Sequence, residues 1–235
     1  MSEPFAGPGS AIQRALAEVE SRIDRACERA GRERAGVRLL PVTKTVDAAR
    51  VRCAVEAGYG EFAENRVQEA ADKAAALASD GVRWHLVGHL QRNKTRQALG
   101  FAGCIQSLDR PALAERLADQ LAEQGRRREV LLQVNTASAA GQSGVAPAEV
   151  DALARTLAAR PELEWTGLMT IARLAPDPEA ARPDFRCLRD LRMRLQDEHG
   201  VALPVLSMGM SGDLEVAVEE GATLVRVGSA VFGAR

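Results

Sequence analysis

No two cysteines in this 235-residue sequence stand at CxxC spacing. The four present, Cys27, Cys53, Cys104 and Cys187, are scattered, and there are only three histidines, His85, His89 and His199. These counts argue against a zinc site or a disulfide framework and leave the thiols as reduced core or helix residues. No apolar run approaches the roughly 18 residues of a membrane span. The start, MSEPFAGPGS, lacks a basic segment followed by an apolar one, so no secretory signal is expected. Residues 1–10 are expected to form a flexible tail, and the protein to be cytoplasmic. Charge of one sign is missing too. Lys and Arg number 31 against 32 Asp and Glu, a net charge of -1 that implies no global attraction to nucleic acid or a membrane. Arg126-Arg127-Arg128 reads as a solvated turn before a strand. No GxGxxG follows the first apolar run, which counts against a dinucleotide fold.

What is present is a rhythm. A helix is predicted from Ala11 to about Ala30, with Ile12, Leu16, Val19 and Ile23 along one face. Short apolar strands then alternate with amphipathic helices. The strands are predicted at 37–43, 60–63, 82–87, 103–107, 129–135, 163–169, 203–207 and 223–227. Helices are predicted at 47–57, 65–79, 91–99, 110–124, 147–160, 178–198 and 212–220. Eight such repeats without a linker predict a single-domain α/β protein over 11–235, a (β/α)8 TIM barrel with an extra N-terminal helix. An open doubly wound sheet is the alternative. LAPDPEAARP (174–183) reads as a long loop after the sixth strand.

In such a barrel the working face lies at the carboxyl ends of the strands. Lys44 ends the first strand, Asn65 follows the second, His85 lies on the third and Met169 ends the sixth. The seventh gives Ser207-Met208-Gly209-Met210-Ser211, and the eighth Arg226-Val227-Gly228-Ser229. Small residues and helix starts in the last two turns suit a phosphate. Ordinary caps would also use Ser and Gly. For Lys44 three roles stay open: a salt bridge with Glu64 or a similar carboxylate, a phosphate clamp, and a covalent imine. The imine needs a neutral amine, which burial at the strand mouth would favour.

PVTKT (41–45), FAENRVQEA (62–70), WHLVGHLQRNK (84–94), GLMTI (167–171), LSMGMSGDLEVAVEEG (206–221) and VRVGSAVFGAR (225–235) occur in this order. As a set they resemble the pyridoxal-phosphate homeostasis proteins, the YggS/PROSC family, whose barrel is similar to the N-terminal domain of alanine racemase. The resemblance implies pyridoxal 5'-phosphate (PLP) held as a Schiff base on Lys44. Ser207, Gly228 and Ser229 would hold the phosphate, with Ser211 and Met210 nearby. Arg226 would face the pyridine nitrogen, and Asn65, His85 and Met169 would line the pocket near the ring. Two departures stand out: Ala63 precedes Glu64 where the family often has Gly, and Gln142 replaces a loop lysine.

A guanidinium cannot take the pyridinium proton, so Arg226 gives little support to carbanion chemistry. Racemisation further needs a tyrosine from a second domain. The one tyrosine, Tyr59, is expected far from the strand ends, and the chain stops at Arg235 with no further domain expected. The implied function is vitamin B6 homeostasis by buffering or delivering PLP, with PLP-dependent apoenzymes as recipients, no robust catalysis, and no nucleic-acid or membrane partner. A monomer is expected. The alternatives are a small PLP-dependent amino-acid racemase with His85 as second acid/base, another Schiff-base barrel enzyme, and an interaction scaffold. The arginine-rich face of 182–194 reads as a solvated helix surface.

Overall fold

The computed structural model of the chain describes residues 8–138 and 141–233. Most of the expected N-terminal tail, residues 1–7, lies outside that range. From Pro8 onward the chain is helical, so residues 8–10, expected in the tail, begin the first helix, α1 (Pro8–Ala30). Ile12, Leu16, Val19 and Ile23 are all buried along one stripe of α1, as the 3–4 spacing requires.

Eight strands follow: β1 (Arg38–Pro41), β2 (Glu61–Glu64), β3 (Arg83–Leu86), β4 (Ala102–Leu108), β5 (Arg128–Val134), β6 (Leu163–Thr170), β7 (Val205–Ser207) and β8 (Leu224–Val227). Between and after them lie α2 (Ala48–Glu56), α3 (Val67–Ala76), α4 (Thr95–Phe101), α5 (Pro111–Glu123), α6 (Val150–Ala159), α7 (Arg182–His199), α8 (Leu214–Glu219) and α9 (Ser229–Phe232). Every strand pairing is parallel, in the order β1-β8-β7-β6-β5-β4-β3-β2. The ring closes through a bridge between Val42 and Ala63, where Thr43 N donates to Ala63 O at 2.9 Å. This is the expected (β/α)8 barrel.

The period of two along each strand sorts side chains to opposite faces. One set, including Phe62, Trp84, Leu86, Ile105, Val130, Leu132 and Leu168, packs outward in the core shared with the helices. The other fills the barrel interior: Leu40, Ala63, Val87, Cys104, Leu131, Met169, Val205 and Leu224. Gly167 is required on β6, because a Cβ there would lie 1.9 Å from Val205 O on β7.

Helix starts differ modestly from the sequence-based bounds. Arg92–Lys94 and Pro178–Ala181 form single 3-10 turns before α4 and α7. The arginine-rich face of α7 is not merely solvated. Glu220, almost fully buried, accepts from Arg182, Arg186 and Arg189 at 2.7–3.0 Å. These bonds tie α7 to the end of α8. No helix among the described residues is long and apolar enough to cross a membrane.

Candidate functional site

A cavity of about 650 Å³ opens at the carboxyl ends of the strands. Its wall includes Val42 and Lys44 after β1, Asn65 after β2, and Val87, Gly88 and His89 after β3. Gln133 and Ser143 come from β5 and its loop, Ile171 and Leu174 from beyond β6, and Met210, Ser211 and Gly212 from beyond β7. Arg226, Gly228 and Ser229 complete it from β8. Of the ten residues predicted for the site, seven are therefore brought together: Lys44, Asn65, Met210, Ser211, Arg226, Gly228 and Ser229.

His85, Met169 and Ser207 are not on this wall. Each is buried in the barrel interior, at 2%, 0% and 0% exposure. The cause is register. Inward positions recur every second residue, about 6.6 Å along a strand. Val87 and Ile171 line the cavity, so His85 and Met169, two residues earlier, lie one inward layer deeper. Ser207 closes β7, and the wall is lined only from Met210 onward.

The deeper layer is polar and connected. Arg226 donates from Nη1 to Ser207 Oγ and from Nη2 to Thr170 O, both at 2.7 Å. Ser207 Oγ donates to Gln106 Oε1 at 2.7 Å. Gln106 Nε2 lies 2.9 Å from His85 Nδ1. His85 Nε2 in turn sits 3.7 Å from Glu61 Oε1, too far for a hydrogen bond but within ion-pair range. A single file of polar groups thus runs from the cavity floor toward the amino ends of the strands. Burial pulls the Arg226 guanidinium down to about 10, against the attraction of Asp213. It remains a cation at neutral pH. A guanidinium has five N–H donors, and two are committed to Ser207 and Thr170.

Lys44 is exposed, contrary to the expected burial. Among the described residues its side chain has no hydrogen bond or ion pair. The pairing with Glu64 left open from the sequence does not form. Glu64 is fully buried and binds Lys73 Nζ at 2.5 Å and Thr43 Oγ1 at 2.6 Å instead. Opposite Lys44, the turns after β7 and β8 meet: Ser229 Oγ donates to Ser211 Oγ at 3.1 Å, and Ala230 N to the same oxygen at 3.4 Å. Met210 N is taken by Asp213 Oδ1 at 2.6 Å, which folds the first turn back on itself. Gly228 passes close to β1, where an added Cβ would stand 3.1 Å from Val42 O.

Four participants were not singled out from the sequence. Gln106 and Gln133 sit on strands that read as plain apolar runs; a glutamine at an inward position was the available signal. His89, not His85, is the histidine on the wall, and its Nδ1 lies 3.5 Å from Asp109 Oδ2. Lys73 lies on the buried stripe of α3 with Val67 and Ala70, where a lysine needs a partner. Gln142, which takes the place of a lysine, donates from Nε2 to Ile171 O at 2.5 Å and so fastens the β5–α6 loop to the end of β6. Tyr59 is at the other end of the barrel, its hydroxyl donating to Glu20 Oε1 at 2.7 Å.

Comparison with known proteins agrees with this architecture. Residues 15–235 match the family model of the alanine racemase N-terminal domain. A pyridoxal phosphate homeostasis protein of Aquifex aeolicus is 43% identical over 220 residues, covering 94% of this chain and 96% of that protein. The Pseudomonas aeruginosa protein of the same name is 43% identical over 226 residues, with 96% of each covered. Among solved structures, PipY of Synechococcus elongatus with PLP bound superposes with a TM-score of 0.83 at 37% identity, covering 94% of this chain and all of that one. The chain belongs to the pyridoxal phosphate homeostasis protein family.

Proposed function

We propose that this chain binds PLP in the strand-end cavity, covalently through Lys44 Nζ, and serves vitamin B6 homeostasis by holding and releasing it. The observation that carries the reading is the placement of Lys44, Arg226 and the Ser211–Ser229 pair around one cavity. Its volume falls within the roughly 300–1,000 Å³ range of small-molecule sites. The residues fit the cofactor's three functional ends. Lys44 offers an exposed primary amine with no competing partner among the described residues. Ser211 and Ser229 present hydroxyls, and Gly228 lets backbone approach an anion. Arg226 presents a fixed cation with uncommitted donors.

When bound, PLP supplies an aldehyde that exchanges reversibly between amines. The remaining chemistry is decided by the protein. Arg226 is charged at neutral pH and donates only, so it hands no proton to a ring nitrogen and accepts none. That disfavours the electron-sink role on which robust amino-acid catalysis depends. The exposure of Lys44 lets an incoming amine reach it, which suits buffering and delivery to apoenzymes.

A second reading, weak proton exchange on amino acids, is favoured by one observation: His89 faces the cavity with Asp109 at its other nitrogen. An acid/base held by a carboxylate is what such an activity requires. Exchange of the α-proton of alanine for deuterium, measured by NMR in wild type and His89→Ala, separates the two; the homeostasis reading expects no exchange above the rate of free PLP.

The reading is tested by titrating the purified protein with PLP and with pyridoxal, which lacks the phosphate. Wild type is expected to develop a visible band with PLP at low concentration, and only weakly with pyridoxal. Lys44→Ala is expected to develop none. Equal affinity for the two compounds would remove the phosphate site from the account.

A further inference from the structure

Lys73 does not line the cavity, yet it is a buried cation with a full set of partners beside the turn that carries Lys44. Its side chain is 9% exposed. An ammonium has three donors, and Lys73 Nζ finds three oxygens: Thr43 O at 2.5 Å, Glu64 Oε1 at 2.5 Å and Glu69 Oε1 at 2.8 Å. Thr43 is the residue before Lys44, and Thr43 Oγ1 also donates to Glu64 Oε1. Thr45 is the residue after Lys44, and its N–H donates to Glu69 Oε1 at 2.5 Å. Both peptide neighbours of Lys44 are therefore fastened to one charge cluster from β2 and α3.

The turn needs fastening. Thr45 has φ +65°, the left-handed region that β-branched residues avoid. Such a conformation persists only where its surroundings over-determine it. Glu69 holds Thr45 through its N–H, and Lys73 holds Glu69. Among the described residues Lys44 has no side-chain partner, so the place its amine reaches is set by the backbone at 43–45 and by its own rotamers. We propose that Lys73 is a positioning residue. Acting with Glu64 and Glu69, it fixes the 43–45 turn so that Lys44 Nζ is presented to the cavity. This deepens the reading of Lys44 as the PLP-bearing amine and rests on it.

The cluster also makes the turn separable from the rest of the barrel. Glu64, Thr43 and Lys73 are buried, but Glu69 is half-buried and Thr45 exposed. Changes at Glu69 can loosen the turn without opening the core. Lys73→Met, by contrast, strands Glu64 in the interior and leaves Glu69 beside it with no cation, so it can compromise folding. The pair Glu69→Ala and Glu69→Gln therefore keeps the proposal testable. Glutamine retains an oxygen for Thr45 N–H, and alanine does not.

The experiment uses the full chain as wild type, Lys44→Ala, Lys73→Met, Glu69→Ala and Glu69→Gln. Amide hydrogen exchange at Thr45 is measured without PLP, and the affinity for PLP is measured by the visible band. Glu69→Ala, and Lys73→Met where it folds, are expected to speed exchange at Thr45 about tenfold or more. The same variants are expected to weaken PLP binding about tenfold. Glu69→Gln is expected to stay near wild type in both. Wild-type exchange and affinity in Glu69→Ala, or a Glu69→Gln variant as impaired as Glu69→Ala, overturns the proposal. A wild type that forms no band overturns the reading of Lys44 itself. The exchange data at Thr45 still report whether the cluster fixes the turn.

Discussion

Arg226 Nη1 and Ser207 Oγ are 2.7 Å apart, and that contact makes the serine part of the support beneath the cavity. Ser207 accepts from the guanidinium and donates to Gln106, so both of its roles are spent inside the barrel. Ser207→Ala removes one partner from a buried cation and one from a buried amide. Leaving such groups unpaired costs about 1–3 kcal/mol each. The variant is expected to unfold at lower urea concentration and to bind PLP more weakly, because Arg226 loses one of its two anchors. Urea titration and visible absorbance check the two effects separately.

At the far end of the same file, Glu61 supplies an acid-sensitive contact. His85 beside it, with Arg38 and Arg83 nearby, holds its carboxyl at about 2, below the usual range. A carboxylate whose pKa is lowered on folding adds stability that is complete above its unfolded value of about 4.3. That stability is lost as pH falls through about 2. Glu61→Gln is therefore expected to lower stability at pH 7 and to flatten the fall in stability between about pH 4.3 and 2. Urea unfolding at pH 7, 4 and 3 measures the slope; identical slopes in the two proteins would contradict the assignment.

Gly88 allows the β3–α4 loop to pass against Asn65. A Cβ at position 88 would stand 2.0 Å from Asn65 O. Gly88→Ala forces backbone to move in two loops that both line the cavity. Overpacking of this kind costs about 1–3 kcal/mol, and PLP affinity is expected to fall with it. Gly100, with open space around its Cβ position, is the control: Gly100→Ala lies within α4 and is expected to leave affinity unchanged.

Tyr59→Phe removes the hydroxyl bond to Glu20 and nothing near the cavity. A loss of about 0.5–1.5 kcal/mol is expected, with an unaltered PLP band. A weakened band would place Tyr59 in the site and contradict its position at the amino end of β2.

The barrel was legible because periodicity and punctuation agreed along its whole length. Alternation of strand and helix gave eight strands within a few residues of their observed bounds, and glycines such as Gly200, at φ +62° after α7, marked where helices stop. Depth was harder to read. His85 was read on the third strand and Met169 and Ser207 at the ends of the sixth and seventh, but the layer at which side chains emerge into the cavity depends on strand stagger, which one sequence does not display. The partner of Glu64 was missed for a related reason. Lys44 follows β1, the strand next to β2, yet α3 carries Lys73 on its buried stripe within reach of Glu64. A lysine in an otherwise apolar stripe was the signal. Six of the seven expected residues found on the wall follow the strands, and Arg226 alone reaches it from within one, β8.

The most direct test of the account is reduction of the PLP-treated protein with borohydride, followed by peptide mass spectrometry. The account predicts one pyridoxyl group on Lys44 of wild type, and none on that peptide in Lys44→Ala. A wild-type protein whose Lys44 peptide is unmodified, or whose label lies on another lysine alone, would contradict it.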